Sequence, residues 1–311
     1  MTVAGDGVAE LMKKMKSSQI STATIKIHHH INNTRYYSTT NSVTYHSIIH
    51  KLSRARAFEP VETLLAELQK SGIKCGENLF IDVLRNYGLA GRPKDALHIF
   101  LRINDFGVTK SVRSLNTLLN VLIQNRKYEL VHALFRNSQK KFNITPNVFT
   151  CNILLKAFCK NGDIEGALKV LDEMPAMGMV PNEVTYTTVL GAYVSRGDMA
   201  NAKTMFDQIL DRGWIPNVFT YNMLIKGFCK GGNAREGVKI LEEMLGKRCL
   251  PNKSTFSILL VGLCHSGEED EVMVGLSGQV IDADVWEILV TKFGSKMGED
   301  VFDSILVKGA S

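Results

Sequence analysis

One spacing dominates this sequence: through its middle, proline recurs every 35 residues. The prolines are Pro146, Pro181, Pro216 and Pro251. Each is followed directly by asparagine, and a threonine follows three residues after that asparagine. The segment VFTCNILLKAFCKNGD, which begins at Val148, returns with few changes as VFTYNMLIKGFCKGGN, which begins at Val218. Several markers that keep one period indicate tandem structural repeats rather than a single compact core.

Each repeat has the pattern of two helices. In residues 148–182, apolar residues recur at helical spacing on both sides of the break Asn161-Gly162-Asp163. Gly162 suits a left-handed helix terminus, and Asp163 can cap the second helix. Such hairpins cannot bury both faces alone, so they stack on their neighbours. We therefore predict an all-α fold, a right-handed superhelical solenoid of about seven helix-turn-helix repeats.

The repeats resemble the pentatricopeptide repeat (PPR) family in its P-type, pure-repeat subclass. The resemblance rests on the 35-residue period, a first helix similar to VxTYNxLIxGFCKxG and a GxxPN ending. The tetratricopeptide repeat is the alternative, but its period is about 34 residues. Its Trp and paired small-residue signature is also absent here. The spacing therefore favours the PPR family.

Position 1 of each repeat is placed two residues after the proline. The predicted repeats are 42–76, 77–111, 112–147, 148–182, 183–217, 218–252 and 253–282. Repeat 112–147 carries one extra residue, repeat 253–282 is shortened, and the first two repeats lack the proline. Residues 283–311 are predicted to form a degenerate terminal repeat or a C-terminal tail.

The amino-terminal segment 1–37 has the composition of a disordered organellar transit peptide. After Glu10 no acidic residue occurs before Glu59, whereas basic residues lie among many Ser, Thr and Asn. The sequence around Arg35 resembles a mitochondrial processing site, with cleavage after Tyr37. We expect a mitochondrial location, with the plastid as the alternative. A disordered basic tail on a cytosolic protein is the other interpretation of this segment.

Positions 2, 5, 9 and 13 of the first helix share one face, which we call the reading face. Position 5 carries short hydrogen-bonding side chains: Asn116, Asn152, Thr187, Asn222 and Ser257. Position 35 carries Asn147, Asn182, Asn217 and Asn252. An asparagine just before a helix is also a good N-cap, so capping and ligand recognition both remain open for position 35.

The PPR resemblance implies that positions 5 and 35 together read one base of single-stranded RNA per repeat. It implies pyrimidine readers, with cytosine preferred, at Asn116/Asn147, Asn152/Asn182 and Asn222/Asn252. Thr187/Asn217 resembles an adenine reader, so the implied RNA core is similar to CCAC. Ser257 lacks a clear partner because its repeat is short. The pairs His46/Gly76 and Ile81/Ser111 match no familiar combination.

Two further sets of residues lie on the reading face. At position 2, Phe149, Val184 and Phe219 are predicted to stack against bases, although the two Phe side chains could instead pack on the adjacent repeat. The predicted phosphate contacts at positions 9 and 13 are Arg54, Arg85, Lys156, Lys160, Lys226 and Lys230, with His50 also at position 9. Taken singly, each is an ordinary solvated charge.

The net charge of +6 says little about RNA. Residues 1–58 hold eight Lys and Arg against two acids, whereas the remaining residues hold 29 of each sign. RNA affinity must therefore come from local arrangement and stacking rather than from bulk charge.

The sequence carries little sign of catalysis. It contains no GxGxxG, P-loop, HExxH or nucleophile elbow, so we expect no enzyme and no cofactor. The six cysteines form no CxxC pair, and Cys159, Cys229 and Cys264 share one repeat position that suits a small buried hydrophobe. His28-His29-His30 lacks further ligands nearby, so no metal site is predicted. No apolar run is long enough to predict a membrane span.

Two functions follow from these features. The first is a sequence-selective RNA-binding adaptor, expected to be a monomer, that acts in mitochondrial RNA processing, stability or translation, alone or with other processing factors. The alternative is a structural PPR subunit of an organellar ribonucleoprotein such as the mitochondrial ribosome.

Overall fold

A computed structural model of the protein describes residues 38–266, and every regular element in this range is helical. The predicted transit peptide 1–37 and the predicted tail 283–311 lie outside the described residues, as do 267–282. The first helix begins at Ser38, ahead of the predicted start of the array at residue 42. None of the described helices is both long and apolar enough to cross a membrane.

The first of two compact units ends at Ala157 and contains three helical hairpins. Its helices are α1 (Ser38–Arg54), α2 (Phe58–Ser71), α3 (Glu77–Leu89), α4 (Pro93–Arg102, continued by a 3-10 turn over Ile103–Phe106), α5 (Val112–Gln124), α6 (Tyr128–Phe142) and the start of α7 (Val148–Lys160). Helix α3 packs against α1 and α5, the first helices of the neighbouring hairpins. The first helices therefore form one layer, and each second helix packs against its own first helix.

The second unit begins at Phe158 and repeats this arrangement. Its helices are the end of α7, α8 (Ile164–Glu173, followed by a 3-10 turn over Pro175–Met177), α9 (Glu183–Arg196), α10 (Met199–Asp211), α11 (Val218–Lys230), α12 (Ala234–Gly246) and α13 (Lys253–Ser266). Helix α11 packs against α9, α12 and α13. Large apolar side chains such as Phe206 and Tyr221 are fully buried between these helices, because one hairpin cannot cover its own apolar faces.

Two left-handed residues shape each hairpin. Positive φ values occur at Arg56, Gly91, Arg126, Gly162, Gly197 and Gly232 in the turn between helices, and at Gly72, Gly107, Asn143, Gly178, Gly213 and Arg248 in the turn that leaves the second helix. The left-handed conformation predicted for Gly162 is thus confirmed, with φ of 81°. Glycine adopts this conformation without strain, whereas arginine at the same place is strained by its Cβ.

The extra residue of repeat 112–147 lies in its second helix. Helix α6 contains 15 residues, whereas α10 and α12 contain 13 each. The extra length ends there, because the first helices α7 and α9 both begin five residues after a left-handed residue, Asn143 or Gly178. Residues 143–148 therefore have the same local register as residues 178–183, despite the longer repeat.

The predicted cap of the second helix is also present. The Asp163 carboxylate accepts a hydrogen bond of 2.8 Å from the Gly166 backbone N–H. Asp198 and Asn233 cap α10 and α12 in the same way. Each cap satisfies one of the N–H groups that a helix leaves unpaired at its start, which is typically worth about 1 kcal/mol.

The shared cysteine position is structural in the described residues. Cys229 is buried against Gly237 and Gly262, and Cys159 is half-buried. Burial raises the pKa of both thiols to about 11, so both are protonated at neutral pH. Both cysteines therefore agree with the prediction of a small buried hydrophobic residue at this repeat position. The third cysteine at this position, Cys264, lies near the end of α13, where side chains are not described.

Candidate nucleic-acid interface

Position 5 lies deeper than an exposed helix face would place it. Asn152, Thr187, Asn222 and Ser257 are half-buried, and Asn116 is only 8% exposed. The reason is that neighbouring first helices pack side by side, so a short side chain at position 5 sits between them. A ligand must therefore reach into the layer of first helices to contact these groups.

Three of these position-5 side chains carry a buried polar atom without a hydrogen-bond partner. The atoms are Asn116 Oδ1, Thr187 Oγ1 and Asn222 Oδ1. In the described part of the chain only two other side-chain atoms share this state, His50 Nδ1 and the Tyr221 hydroxyl. An unpaired buried polar group costs about 1–3 kcal/mol. Such atoms are rare in folded proteins, and their recurrence at one repeat position favours a ligand-binding role.

Position 35 caps the first helix of the following repeat. The Oδ1 atoms of Asn147, Asn182, Asn217 and Asn252 each accept a hydrogen bond of 3.0–3.1 Å from the backbone N–H of the threonine three residues later. In return, the Thr150 hydroxyl accepts from the Asn147 N–H, and the Thr185 and Thr255 hydroxyls accept likewise. The capping interpretation is therefore confirmed for all four.

Capping does not exhaust what these asparagines can do. The cap uses Oδ1, which leaves the Nδ2 donors of the exposed residues Asn147, Asn217 and Asn252 outside the cap. In repeat 218–252 the two predicted base-reading residues meet directly, with Asn222 Nδ2 at 3.4 Å from Asn252 Oδ1. Positions 5 and 35 of this repeat thus present a joined pair of amide groups.

The apolar residues at position 2 are exposed. Phe149, Val184 and Phe219 are 59%, 58% and 68% accessible, so neither Phe ring is buried against an adjacent repeat. Val43 holds the same position in the first repeat and is 72% exposed. The sequence analysis missed Val43, although its place in the 35-residue register was a sufficient signal. Exposed apolar groups beside a polar row suit contact with the faces of bases.

The six basic residues predicted to contact phosphates are all exposed, but Arg85 differs from the others by having a carboxylate beside it. Arg54, Lys156, Lys160, Lys226 and Lys230 are exposed. Arg85 is exposed too, but its Nη1 atom lies 3.6 Å from the Asp82 carboxylate, which offsets its charge. The phosphate contact predicted at Arg85 stays a prediction, and this residue is the one of the six with a carboxylate recorded beside it.

Among the residues that the structure describes, no group of three or more His, Cys, Asp and Glu side chains is arranged to hold a metal ion. The features that recur along the chain are instead hydrogen-bonding amides, exposed apolar groups and cations at fixed positions of a helical hairpin. These define a helical-repeat protein whose first helices carry the same types of side chain at the same positions of successive hairpins.

The chain belongs to the PPR repeat family. The family matches residues 110–160, 146–193, 181–230 and 216–265, which together cover just over half of the chain. The predicted family is thereby confirmed.

Several proteins of Arabidopsis thaliana are similar in sequence. A mitochondrial pentatricopeptide repeat-containing protein is 69% identical over 141 residues, which is 45% of this chain and 26% of that protein. A second such protein is 29% identical over 168 residues, or 53% of this chain and 41% of that protein. The small ribosomal subunit protein mS79 is 28% identical over 139 residues, covering 45% of this chain and 35% of that protein. The chain thus spans less than half the length of each of these relatives.

A solved structure confirms the fold class. The crystal structure of the pentatricopeptide repeat protein PPR10 in complex with an 18-nt psaJ RNA element matches with a TM-score of 0.59 and 22% identity. The match covers 97% of this chain and 44% of PPR10. The predicted all-α fold of helix-turn-helix repeats is therefore confirmed.

Proposed function

We propose that this protein binds single-stranded RNA on its reading face, with one base per repeat placed between positions 5 and 35. The observation that carries the proposal is the recurrence of unpartnered polar atoms at position 5, in Asn116, Thr187 and Asn222. The Watson–Crick edge of a base offers donors and acceptors that can pair with amide and hydroxyl groups. RNA would therefore supply the hydrogen bonds that these side chains lack.

The residues around position 5 support the same ligand. Stacking of a base on an exposed aromatic such as Phe219 is worth about 1–3 kcal/mol. Lys226 and Lys230 lie one and two helical turns from Asn222 on α11 and can neutralise phosphates. The proposed preference is two pyrimidines, adenine and a pyrimidine, similar to CCAC, read from Asn116 to Asn252.

We place this activity in mitochondrial RNA metabolism, where the protein would act by occupying a transcript rather than by catalysis. Two similar Arabidopsis proteins carry mitochondrial names, and PPR10 is solved with bound RNA, which supports this placement. Segment 1–37 would serve as the transit peptide. A bound array blocks nucleases or holds a strand open, and so affects processing, stability or translation.

Fluorescence anisotropy with a labelled CCAC-containing RNA tests the proposal. Asn222→Ala removes one amide of the Asn222–Asn252 pair and is expected to weaken binding about tenfold, equivalent to about 1.4 kcal/mol. Asn137→Ala is the matched control, because Asn137 lies on the second helix α6 and donates to its own helix at Ala133. Affinity should also fall as salt rises. Equal affinity of the wild type and Asn222→Ala for this RNA would contradict the proposal.

A structural role in a ribosome is the second candidate. The similarity to the small ribosomal subunit protein mS79 favours it. This role predicts cosedimentation of the protein with mitochondrial ribosomes, and selection from a random RNA pool that yields no common motif. A shared motif among the selected RNAs would favour the adaptor instead.

A further inference from the structure

The reading face of the first two repeats is occupied by an internal network. His46 holds position 5 of the first repeat, and its Nε2 atom lies 3.1 Å from Asp82 Oδ2. Asp82 belongs to α3, the first helix of the next repeat, so this contact bridges two neighbouring first helices. The side chain that should meet a base in repeat 42–76 is thus bound to a carboxylate of the protein itself.

Asp82 also engages the basic residues around it. His50 Nδ1, at position 9 of the first repeat, lies 3.3 Å from Asp82 Oδ2 without forming a hydrogen bond, and Arg85 Nη1, at position 9 of the second, lies 3.6 Å from Oδ1. The Asp82 side chain is 25% exposed, so solvent screens its charge only in part. One carboxylate therefore faces three side chains that would otherwise serve RNA.

In the second repeat, 77–111, positions 5 and 35 are also unsuited to pairing with a base, but for other reasons. Ile81, at position 5, is apolar and buried, so it cannot pair with a base edge. Ser111, at position 35, donates its hydroxyl and its backbone N–H to the Glu77 carboxylate, each at 2.8 Å. Burial alone would raise the pKa of Glu77, but hydrogen bonds from Ser111 and Ser114 outweigh it and lower the pKa. Glu77 is thus an anion at neutral pH.

Asn116 in the next repeat contrasts with both. The Asn116 Oδ1 atom has no hydrogen-bond partner. Asn147 ends the same repeat, at the place of position 35, and its Nδ2 atom lies outside the cap. The change occurs within the first unit, between adjacent first helices that pack on each other.

We propose that Asp82 closes repeats 42–76 and 77–111 to RNA and so sets the amino-terminal limit of the base-reading surface at Asn116. This rests on the proposed function. A phosphate near Asp82 meets a like charge, and the same carboxylate weakens the attraction of Arg85 for that phosphate. The Nε2 atom of His46, held by the same carboxylate, is not available to a base.

Asp82→Asn tests the inference, because it removes the charge and keeps the shape. We expect RNA affinity to rise several-fold, with a steeper salt dependence that reflects about one added phosphate contact. The protected length of a bound RNA in nuclease footprinting should also increase at one end. Asp95→Asn is the matched control, since Asp95 lies on α4, the second helix of the same repeat, and is paired with Arg92, which directly precedes that helix.

A double-mutant cycle keeps the test independent of small changes in folding. Arg85→Gln should abolish the gain in the Asp82→Asn background, because it removes the cation that this gain would release. Lys226→Gln, at the same repeat position in the second unit, should weaken binding in both backgrounds. Equal gains from Asp82→Asn and Asp95→Asn, or an undiminished gain when Arg85→Gln is added to Asp82→Asn, would overturn the inference. If Asn222→Ala weakens binding while Asp82→Asn changes nothing, the inference fails and the proposed function stands.

Discussion

Residues 38–111 and residues 183–252 are built alike but present different surfaces. Both contain two hairpins with a left-handed residue in each turn, and in both the first helices pack side by side. On the reading face, however, His46 and Ser111 bind carboxylates of the protein, whereas Thr187 and Asn222 carry atoms without partners. The comparison teaches that apolar pattern and turns determine the hairpin, while a few polar positions determine what the hairpin can bind.

Close packing of first helices should make the two regions respond differently to a single methyl group. In the first, a Cβ on Gly88 would lie 2.6 Å from Val121 Cγ2, a branched side chain that cannot move aside. In the second, a Cβ on Gly191 would meet the flexible end of Met223 at 2.9 Å. Gly88→Ala should therefore lower the free energy of unfolding by about 1–3 kcal/mol in urea titrations. Gly191→Ala should leave it unchanged or raise it by about 0.5–1 kcal/mol. Similar losses in both variants would mean that the two layers are packed equally tightly.

Buried tyrosines provide a second contrast. The Tyr87 hydroxyl donates a 2.6 Å hydrogen bond to Glu62, whereas the Tyr221 hydroxyl is buried without a partner. Tyr87→Phe should cost about 1–2 kcal/mol of stability, because a hydrogen bond to a charged group is lost. Tyr221→Phe should be neutral or slightly stabilising, because no bond is lost and a desolvated hydroxyl is removed. Thermal unfolding of both variants measures the difference, and a large loss in Tyr221→Phe would reveal a partner for that hydroxyl.

Position 35 should have two roles in the second region and one in the first. Asn217→Ala should cost about 1 kcal/mol by removing the cap on Thr220, and should also weaken RNA binding. Asn217→Asp should keep the cap and the melting temperature but still weaken RNA binding, because the Nδ2 donor is replaced by a negative charge. Ser111→Ala should lower stability and leave RNA affinity unchanged, because Ser111 serves only the cap and Glu77. Calorimetry combined with anisotropy separates the two roles; a loss of RNA affinity in Ser111→Ala would place the second repeat within the RNA site.

The smallest expected effect concerns the turn between helices. Arg126 in the first unit and Gly197 in the second hold equivalent left-handed conformations, with φ of 57° and 79°. Arg126→Gly should raise stability by about 0.5–1 kcal/mol, since relief of strain exceeds the extra entropy of the unfolded glycine chain. Gly197→Arg should lower it by a similar amount. Melting temperatures that shift the other way would show that the Arg126 side chain makes a compensating contact.

Structural features that recur once in every repeat could be predicted from the sequence. The hairpins, the left-handed Gly162 and the Asp163 cap depend on residues close in the chain, and such local signals survive in a single sequence. For Asn147 and its equivalents the sequence could not choose between capping and recognition, because the same side chain suits both. The structure shows the cap, and leaves the amide nitrogen outside it.

Features that join neighbouring repeats were not predictable. The Asp82 contacts with His46 and His50 link position 6 of one repeat to positions 5 and 9 of the preceding one. No other repeat in the described part of the chain has an acidic residue at position 6 that would mark these contacts as a pattern. The depth of Asn116 was missed for a related reason: helical periodicity shows which face a residue shares, but not how closely the next helix approaches that face.

The longer helix α6 shows that a repeat can change in length without changing the register of its first-helix positions. Its additional residue extends the outer member of the hairpin, and the chain from Asn143 onward returns to the common register before Asn147 caps α7. A repeat of this kind can therefore gain a residue in its second helix while position 5 and the capping asparagine keep their places in the register. The same insertion between Val112 and Asn116 would rotate Asn116 by about 100° about the axis of α5 and move it away from position 5.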